Sequence, residues 1–241
     1  MKIGIYGLGR FGSFWSSCLA KKFDVYCYSR NAQRTAGVGA EKADEQTVLN
    51  CDVIFLCVAI SAMDDVLRRI GPMILEGKTV IDTCSVKVHP IKAMERNLAA
   101  GISIIGTHPM FGPDSGKNGI AGLPMVYCPV RAQEEVSAFW RDAFVDMGLK
   151  VYDLLPEEHD REAAYTQGVT HFMGRVLDDL KLEPSRIGTL GYSKLLEIIE
   201  QTCNDPFQLF VDLQKFNPFT GEMRKKLGSS LQKMQDQLGS G

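Results

Sequence analysis

The sequence predicts a doubly wound, mostly parallel α/β sheet followed by a smaller all-helical domain, and three observations carry that prediction. Short apolar runs alternate with helical patterns over residues 1–152. The first run leads directly into a GxGxxG turn that opens a helix. From Pro156 onward the β-branched runs stop and amphipathic helical patterns take over. Continuous apolar strands separated by helices belong to a parallel sheet covered on both faces.

The elements follow in order. Residues 2–6 read as a strand, then a glycine turn and a helix over 10–21. Further strands are expected at 25–28, 53–58, 79–82, 102–105 and 124–128, with a possible edge at 151–152. Beyond Pro156 one long helix is expected over 157–180, another over 192–201, and two more over 206–216 and 219–237, punctuated by Pro184 and Pro206. The expected division is therefore a dinucleotide-binding domain over 1–152 and a helical domain over 153–241. The second part is small for an independent core, so it should complete itself against the first domain or a second subunit.

Composition narrows the function classes. A formal charge of −2 gives neither a basic footprint for nucleic acid nor a polybasic membrane surface. No apolar run reaches the ~18 residues that span a bilayer, and the N-terminus reads as a strand rather than a signal peptide. The 7 cysteines are odd in number, scattered and without a CxxC pair. Buried free thiols in a cytoplasmic protein are the favoured reading, and no zinc-ligand spacing is present.

The turn Gly7-Leu8-Gly9-Arg10-Phe11-Gly12 directly follows a strand and opens a helix, the setting of a Rossmann cofactor site. The first glycine allows the tight turn, the second lets a pyrophosphate approach the helix N-terminus, and the third allows close helix–strand packing. Arg10 and Phe11 stand among the candidate contacts of that loop. An NAD enzyme would carry an acid at the end of the second strand, but Tyr28-Ser29-Arg30 stands there instead. Ser29 can hydrogen-bond a 2′-phosphate, and Arg30, with Arg34 as a second candidate, can pair with it. NADP is the expected cofactor; the alternative is that Arg30 points to solvent.

Two loops at the same sheet edge carry chemistry. DTCSVK at 82–87 follows a strand, and Ser85 could reach a nicotinamide, a substrate hydroxyl, or the N-terminus of the next helix as a cap. GTHPMFGPDSG at 106–116 sets His108 between an apolar run and a loop too rich in Gly and Pro for regular structure. A titratable imidazole there lies where open α/β sheets bind ligands.

Both loops, in this order, resemble those of the prephenate/arogenate dehydrogenases, which oxidise a cyclohexadienyl substrate with NAD(P) in tyrosine biosynthesis. The resemblance continues through SGKN at 115–118, GLPMVY at 122–127, EHDREAA at 158–164 and THFMGRVL at 170–177, and is closest in tone to the plant-type arogenate enzymes. It implies that His108 is the catalytic histidine, that Ser85 lies beside nicotinamide and substrate, and that His171 reaches in from the helical domain. It also implies a homodimer. Gln167 and Arg175 lie four residues either side of His171 on the expected helix. His89 and His159 read as surface residues.

In plant-type members an acid in a T-x-x-D/N-x-F context favours arogenate and Asn favours prephenate. Thr202-Cys203-Asn204-Asp205-Pro206-Phe207 aligns Asp205 with that acid, while Asp205 could equally cap the helix at Pro206. The stretch 191–196 lacks the arginine by which many bacterial members pair a substrate carboxylate; Arg175 or Lys194 could substitute. The alternatives are a β-hydroxyacid or imine reductase of like architecture, and an NADP-sensing module without turnover.

Overall fold

The computed structural model describes residues 1–239. Ser240 and Gly241, the last residues of the expected helical domain, lie outside the described part. The chain divides into two compact units, Met1–Glu157 and Glu158–Gly241.

The first unit is built on an eight-stranded sheet with strand order β3-β2-β1-β4-β5-β6-β7-β8. The strands are β1 (Lys2–Tyr6), β2 (Asp24–Tyr28), β3 (Glu41–Lys42), β4 (Val53–Leu56), β5 (Thr79–Asp82), β6 (Ser103–Pro109), β7 (Pro124–Arg131) and β8 (Lys150–Asp153). Helices α1 (Arg10–Leu19), α2 (Glu45–Leu49), α3 (Met63–Ile70), α4 (Val88–Asn97) and α5 (Glu134–Asp146) connect them. All neighbours pair parallel except β6 and β7, which run antiparallel. The order reverses direction at β1, so a crevice opens at the carboxyl ends of β1 and β4, where doubly wound sheets take their ligands. One core cluster joins Ile3, Ile5, Trp15, Phe55, Tyr127, Trp140 and Phe144, with Trp140 set edge-on against Phe55 at 5.2 Å between centroids.

Two details of the sheet depart from the sequence reading. The strand expected to end at residue 105 continues through His108, which pairs across to Val126 of β7. Glycine and proline do not stop it, because the antiparallel partner supplies a ladder through Pro109. The two-residue β3, too short for a periodic signal, extends the sheet beyond β2.

The second unit is helical: α6 (Pro156–Ala163), a π-helical turn (Ala164–Gly168), α7 (Val169–Asp179), α8 (Leu190–Cys203), α9 (Phe207–Phe216) and α10 (Thr220–Leu238). The single helix expected over 157–180 is thus interrupted by a wider turn, a feature that concentrates at functional sites. Side chains stitch these helices to one another. Gln214 Nε2 donates to Gly168 O at 2.8 Å, Asn217 Nδ2 to Asp160 O at 2.7 Å, and Arg224 Nη1 to Gln214 Oε1 at 2.6 Å. His159, expected at the surface, is 2% exposed and lies 2.8 Å from Asp160 Oδ1 through Nδ1. No helix among the described residues is long and apolar enough to cross a membrane.

Candidate active site

The three glycines of the turn differ in what a side chain there would meet. Gly7 has φ +111°, and a Cβ on it would stand 2.4 Å from the carbonyl oxygen of Cys57. A Cβ on Gly12 would lie 2.0 Å from Gly7 O, so α1 packs directly on the turn. A Cβ on Gly9 would meet nothing within 4 Å. Packing therefore demands the first and third glycines, while the space over Gly9 is open, as a pyrophosphate approaching the α1 N-terminus requires. Gly9, Arg10, Ser13, Arg34 and Thr35 line a cleft of about 500 Å³. Arg10 Nη2 donates to both carboxylate oxygens of Asp114 at 2.9 and 2.7 Å, tying the α1 N-terminus to the loop after β6. Phe11 lies 5.9 Å from Trp15 with near-parallel rings, so its side chain packs on the core cluster.

At the end of β2, Arg30 and Arg34 are exposed, and Ser29 Oγ accepts from the Asn31 backbone N–H at 3.3 Å. A carboxylate does sit near this edge, though not on β2: Glu45 of α2. Its Oε2 accepts from Arg69 at 2.8 Å, and the Tyr6 hydroxyl also donates to it. The Arg69 hydrogen bond chiefly holds Glu45 below the usual carboxylate range, with a smaller contribution from the charge of Arg30. Burial in this network raises the Tyr6 phenol, assisted by the Glu45 carboxylate. Sequence distance concealed Glu45, because only the fold brings α2 to the ends of β1 and β2.

The β5 and β6 ends form the second part of the edge. Asp82 and Lys87, quoted in the sequence only as the borders of a motif, are both fully buried and form an ion pair. The Lys87 ammonium also donates to the backbone carbonyl of Thr107, and Thr107 Oγ1 donates to Asp82 O at 2.6 Å. Burial pushes the Asp82 carboxyl up, and the Lys87 charge opposes it. Ser85 lies inside this braced loop and His108 directly follows Thr107 on β6, where it is 2% exposed. Helix α4 begins with Lys87, not Ser85, at its N-cap position, so Ser85 is not the helix cap. Cys57 and Cys84 nearby are thiols outside any disulfide; burial pushes Cys57 up to about 12 and Cys84 well above its ordinary value.

Within the helical unit, His171 is 6% exposed, and its Nδ1 has no hydrogen-bond partner among the described residues. Burial lowers its pKa, the Asp205 charge raises it and the Arg175 charge lowers it, so these three groups are neighbours. Gln167 lies in the π turn with a buried, unpartnered Oε1. That wider turn changes its spacing to His171, and only Arg175 keeps the regular four-residue relation. Arg175 Nη2 donates to the carbonyls of Asp205 and Thr202 at 2.8 and 3.2 Å. Pro206 takes the N-cap position of α9, and Asp205 is half-buried one residue before it. Lys194 is exposed on α8.

The chain is similar to known proteins in sequence and in fold. A family model described as "prephenate dehydrogenase, nucleotide-binding domain" matches residues 22–144, and one described as "TYRAAT1-like, C-terminal domain" matches residues 176–241. Arogenate dehydrogenase 2, chloroplastic, of Arabidopsis thaliana is 37% identical over 99% of this chain and 70% of its own length. Arogenate dehydrogenase 1, chloroplastic, of the same plant is 34% identical over 99% of this chain but only 39% of its own length. Prephenate dehydrogenase from A. aeolicus, solved with hydroxyphenyl propionate and NAD+, superposes with a TM-score of 0.78 at 17% identity, covering 99% of this chain and 90% of that one. The chain belongs to the prephenate/arogenate dehydrogenase family.

Proposed function

We propose that this protein oxidatively decarboxylates arogenate to tyrosine with NADP, and that prephenate is the poorer substrate. The observation that carries the reading is that His108 on β6 and the Ser85 loop after the neighbouring strand β5 are braced by one buried ion pair, whose lysine also holds the Thr107 carbonyl. The cofactor cleft has room over Gly9, the donors Arg34 and Ser13, and no acid on the end of β2, which fits a dinucleotide carrying an extra phosphate.

The substrate is a cyclohexadiene with a hydroxyl on ring carbon 4 and a carboxylate on the opposite quaternary carbon. The bound nicotinamide supplies the acceptor for hydride from carbon 4. His108 takes the hydroxyl proton as positive charge develops on that carbon, a role worth about 10²- to 10⁴-fold. The bond to the carboxylate then breaks, its electron pair completes the aromatic ring, carbon dioxide leaves, and the proton returns to the phenolic oxygen. Ser85 orients the hydroxyl or the carboxamide. His171 works as a neutral imidazole in the substrate pocket, Gln167 offers a buried acceptor to substrate, and Lys194 is a surface candidate for the ring carboxylate. Asp205 forms a charge-assisted hydrogen bond with the ammonium that distinguishes arogenate from prephenate, whose keto group offers the acid no such donor.

A homodimer through the helical unit and a cytoplasmic location belong to the same reading. The dimer is supported by Ile187, Leu190 and Phe207, exposed by 92%, 75% and 62%. Seven cysteines outside any disulfide support a reducing compartment.

The test is reduced-cofactor formation with arogenate and with prephenate side by side at pH 8. Preference for arogenate that disappears in Asp205→Asn is the expected result. Preference for prephenate in the unaltered protein would return Asp205 to a structural role. Near-full activity in His108→Asn would remove the base assignment, and no turnover on either substrate would remove the catalytic reading.

A further inference from the structure

The turn between α8 and α9 carries Asp205, and one side chain from α7 holds both of its sides. Arg175 Nη2 reaches the last-turn carbonyl of α8 at Thr202 (3.2 Å) and the carbonyl of Asp205 itself (2.8 Å). The guanidinium lies 5.5 Å from the Phe207 ring and 5.9 Å from the Phe210 ring, and those rings are 5.5 Å apart. A planar cation is held over aromatic faces while donating in its own plane, a geometry lysine does not reproduce. The neighbouring Gly174 seats α7 on the same spot, since a Cβ there would stand 2.0 Å from Thr202 Oγ1. Thr202 is fully buried and back-bonds to Ile198 O at 2.8 Å.

We propose that Arg175 is a positioning residue for substrate choice: it clamps the backbone of the α8–α9 turn so that the Asp205 carboxylate is held in place for the substrate ammonium, and it is not the ligand of the ring carboxylate. The proposal rests on the reading of Asp205 as the acid that recognises the amine. A guanidinium that caps two carbonyls and packs on two phenyl rings is already oriented by the protein. Both bonds come from Nη2, which is thereby committed to the turn rather than to the ring carboxylate that both substrates carry.

The two assignments separate by substrate. The full-length protein is assayed with arogenate and with prephenate in the unaltered form and as Arg175→Met, Arg175→Lys, Asp205→Asn and Asp205→Asn/Arg175→Met. In Arg175→Met the KM for arogenate should rise about tenfold more than the KM for prephenate, the loss expected when a charge-assisted hydrogen bond is misplaced. In the Asp205→Asn background the same substitution should leave the substrate ratio unchanged. Arg175→Lys should share the defect, because lysine lacks the planar group that packs on Phe207 and Phe210 while it donates, and as the milder change it reads the effect should the methionine variant not fold. Equal rises in KM for both substrates would assign Arg175 to the ring carboxylate and overturn the proposal, as would full rescue by lysine. An unchanged substrate ratio in Asp205→Asn alone would sink the reading of Asp205 itself, whatever Arg175 does.

Discussion

Lys87 and Asp82 form an ion pair in which neither side chain has any solvent exposure, and the same ammonium also holds the carbonyl of Thr107, the residue before His108. The pair therefore links the Ser85 loop to the strand that presents the histidine. Removing one partner leaves the other charge buried and uncompensated, which costs about 3–5 kcal/mol. Lys87→Met should lower the urea midpoint accordingly, and Lys87→Met/Asp82→Asn should recover part of the loss. A single variant as stable as the unaltered protein would show that the pair contributes nothing to the fold.

The glycine turn separates structure from binding. Gly12→Ala drives a Cβ to 2.0 Å from a backbone oxygen and should cost about 1–3 kcal/mol, the range of overpacked core changes. Gly9→Ala meets nothing within 4 Å and should unfold at nearly the original temperature, yet bind NADP at least about tenfold more weakly, since a Cβ would occupy the approach to the helix N-terminus. Calorimetry paired with cofactor fluorescence titration reads both. Normal NADP binding by the Gly9 variant would move the pyrophosphate elsewhere.

Arg30 is the exposed cation at the end of β2. A charge-assisted hydrogen bond contributes about 1.5–3 kcal/mol, so Arg30→Ala should raise the KM for NADP roughly 10- to 100-fold. The KM for NAD should change little, because that cofactor lacks the 2′-phosphate. Equal effects on the two cofactors would mean that Arg30 does not read the phosphate and would transfer that role to Arg34 or Ser29.

Burial holds the His171 imidazole below its ordinary value, the Asp205 charge pulling it up and the Arg175 charge pushing it further down. In the unfolded chain the same group titrates near ~6.5. Between the lowered folded value and ~6.5 the unfolded chain binds more protons, so stability rises with pH across that window and is fully present above it. Urea midpoints should therefore fall between pH 7 and pH 5, and less steeply in His171→Gln. Identical pH slopes in the two proteins would show that the folded site accepts the proton as readily as the unfolded chain does.

Much of this was written in local pattern. The apolar runs at 2–6, 53–56 and 79–82 are buried throughout or nearly so, and strands buried on both faces announce themselves by composition alone. The glycine turn was legible because its residue types answer backbone requirements within a few positions. The DTCSVK and GTHPMFGP motifs were legible as a pair because each stands at the carboxyl end of an apolar run, and those runs are the parallel neighbours β5 and β6.

Other features needed the tertiary structure, for the reason that they depend on partners distant in sequence. His108 became a strand residue because β7 pairs with it, overriding the glycines and prolines around it. The unexpected Glu45 stands beside the cofactor edge because α2 crosses the ends of β1 and β2, and its bond to Arg69 decides how much charge it presents there. The Lys87–Asp82 pair was visible only as two letters of a motif until burial made it an ion pair without solvent. His159 looked like a surface residue because a charged neighbourhood in sequence says nothing of which helix face is covered. The sequence by itself determined the alternation of strands and helices, the cofactor turn and the candidate chemistry, all set by backbone sterics and hydrophobic period. The tertiary structure decided which charges are neutralised, which imidazoles are buried and which backbone Arg175 holds, because desolvation and pairing are properties of neighbours, not of spacing.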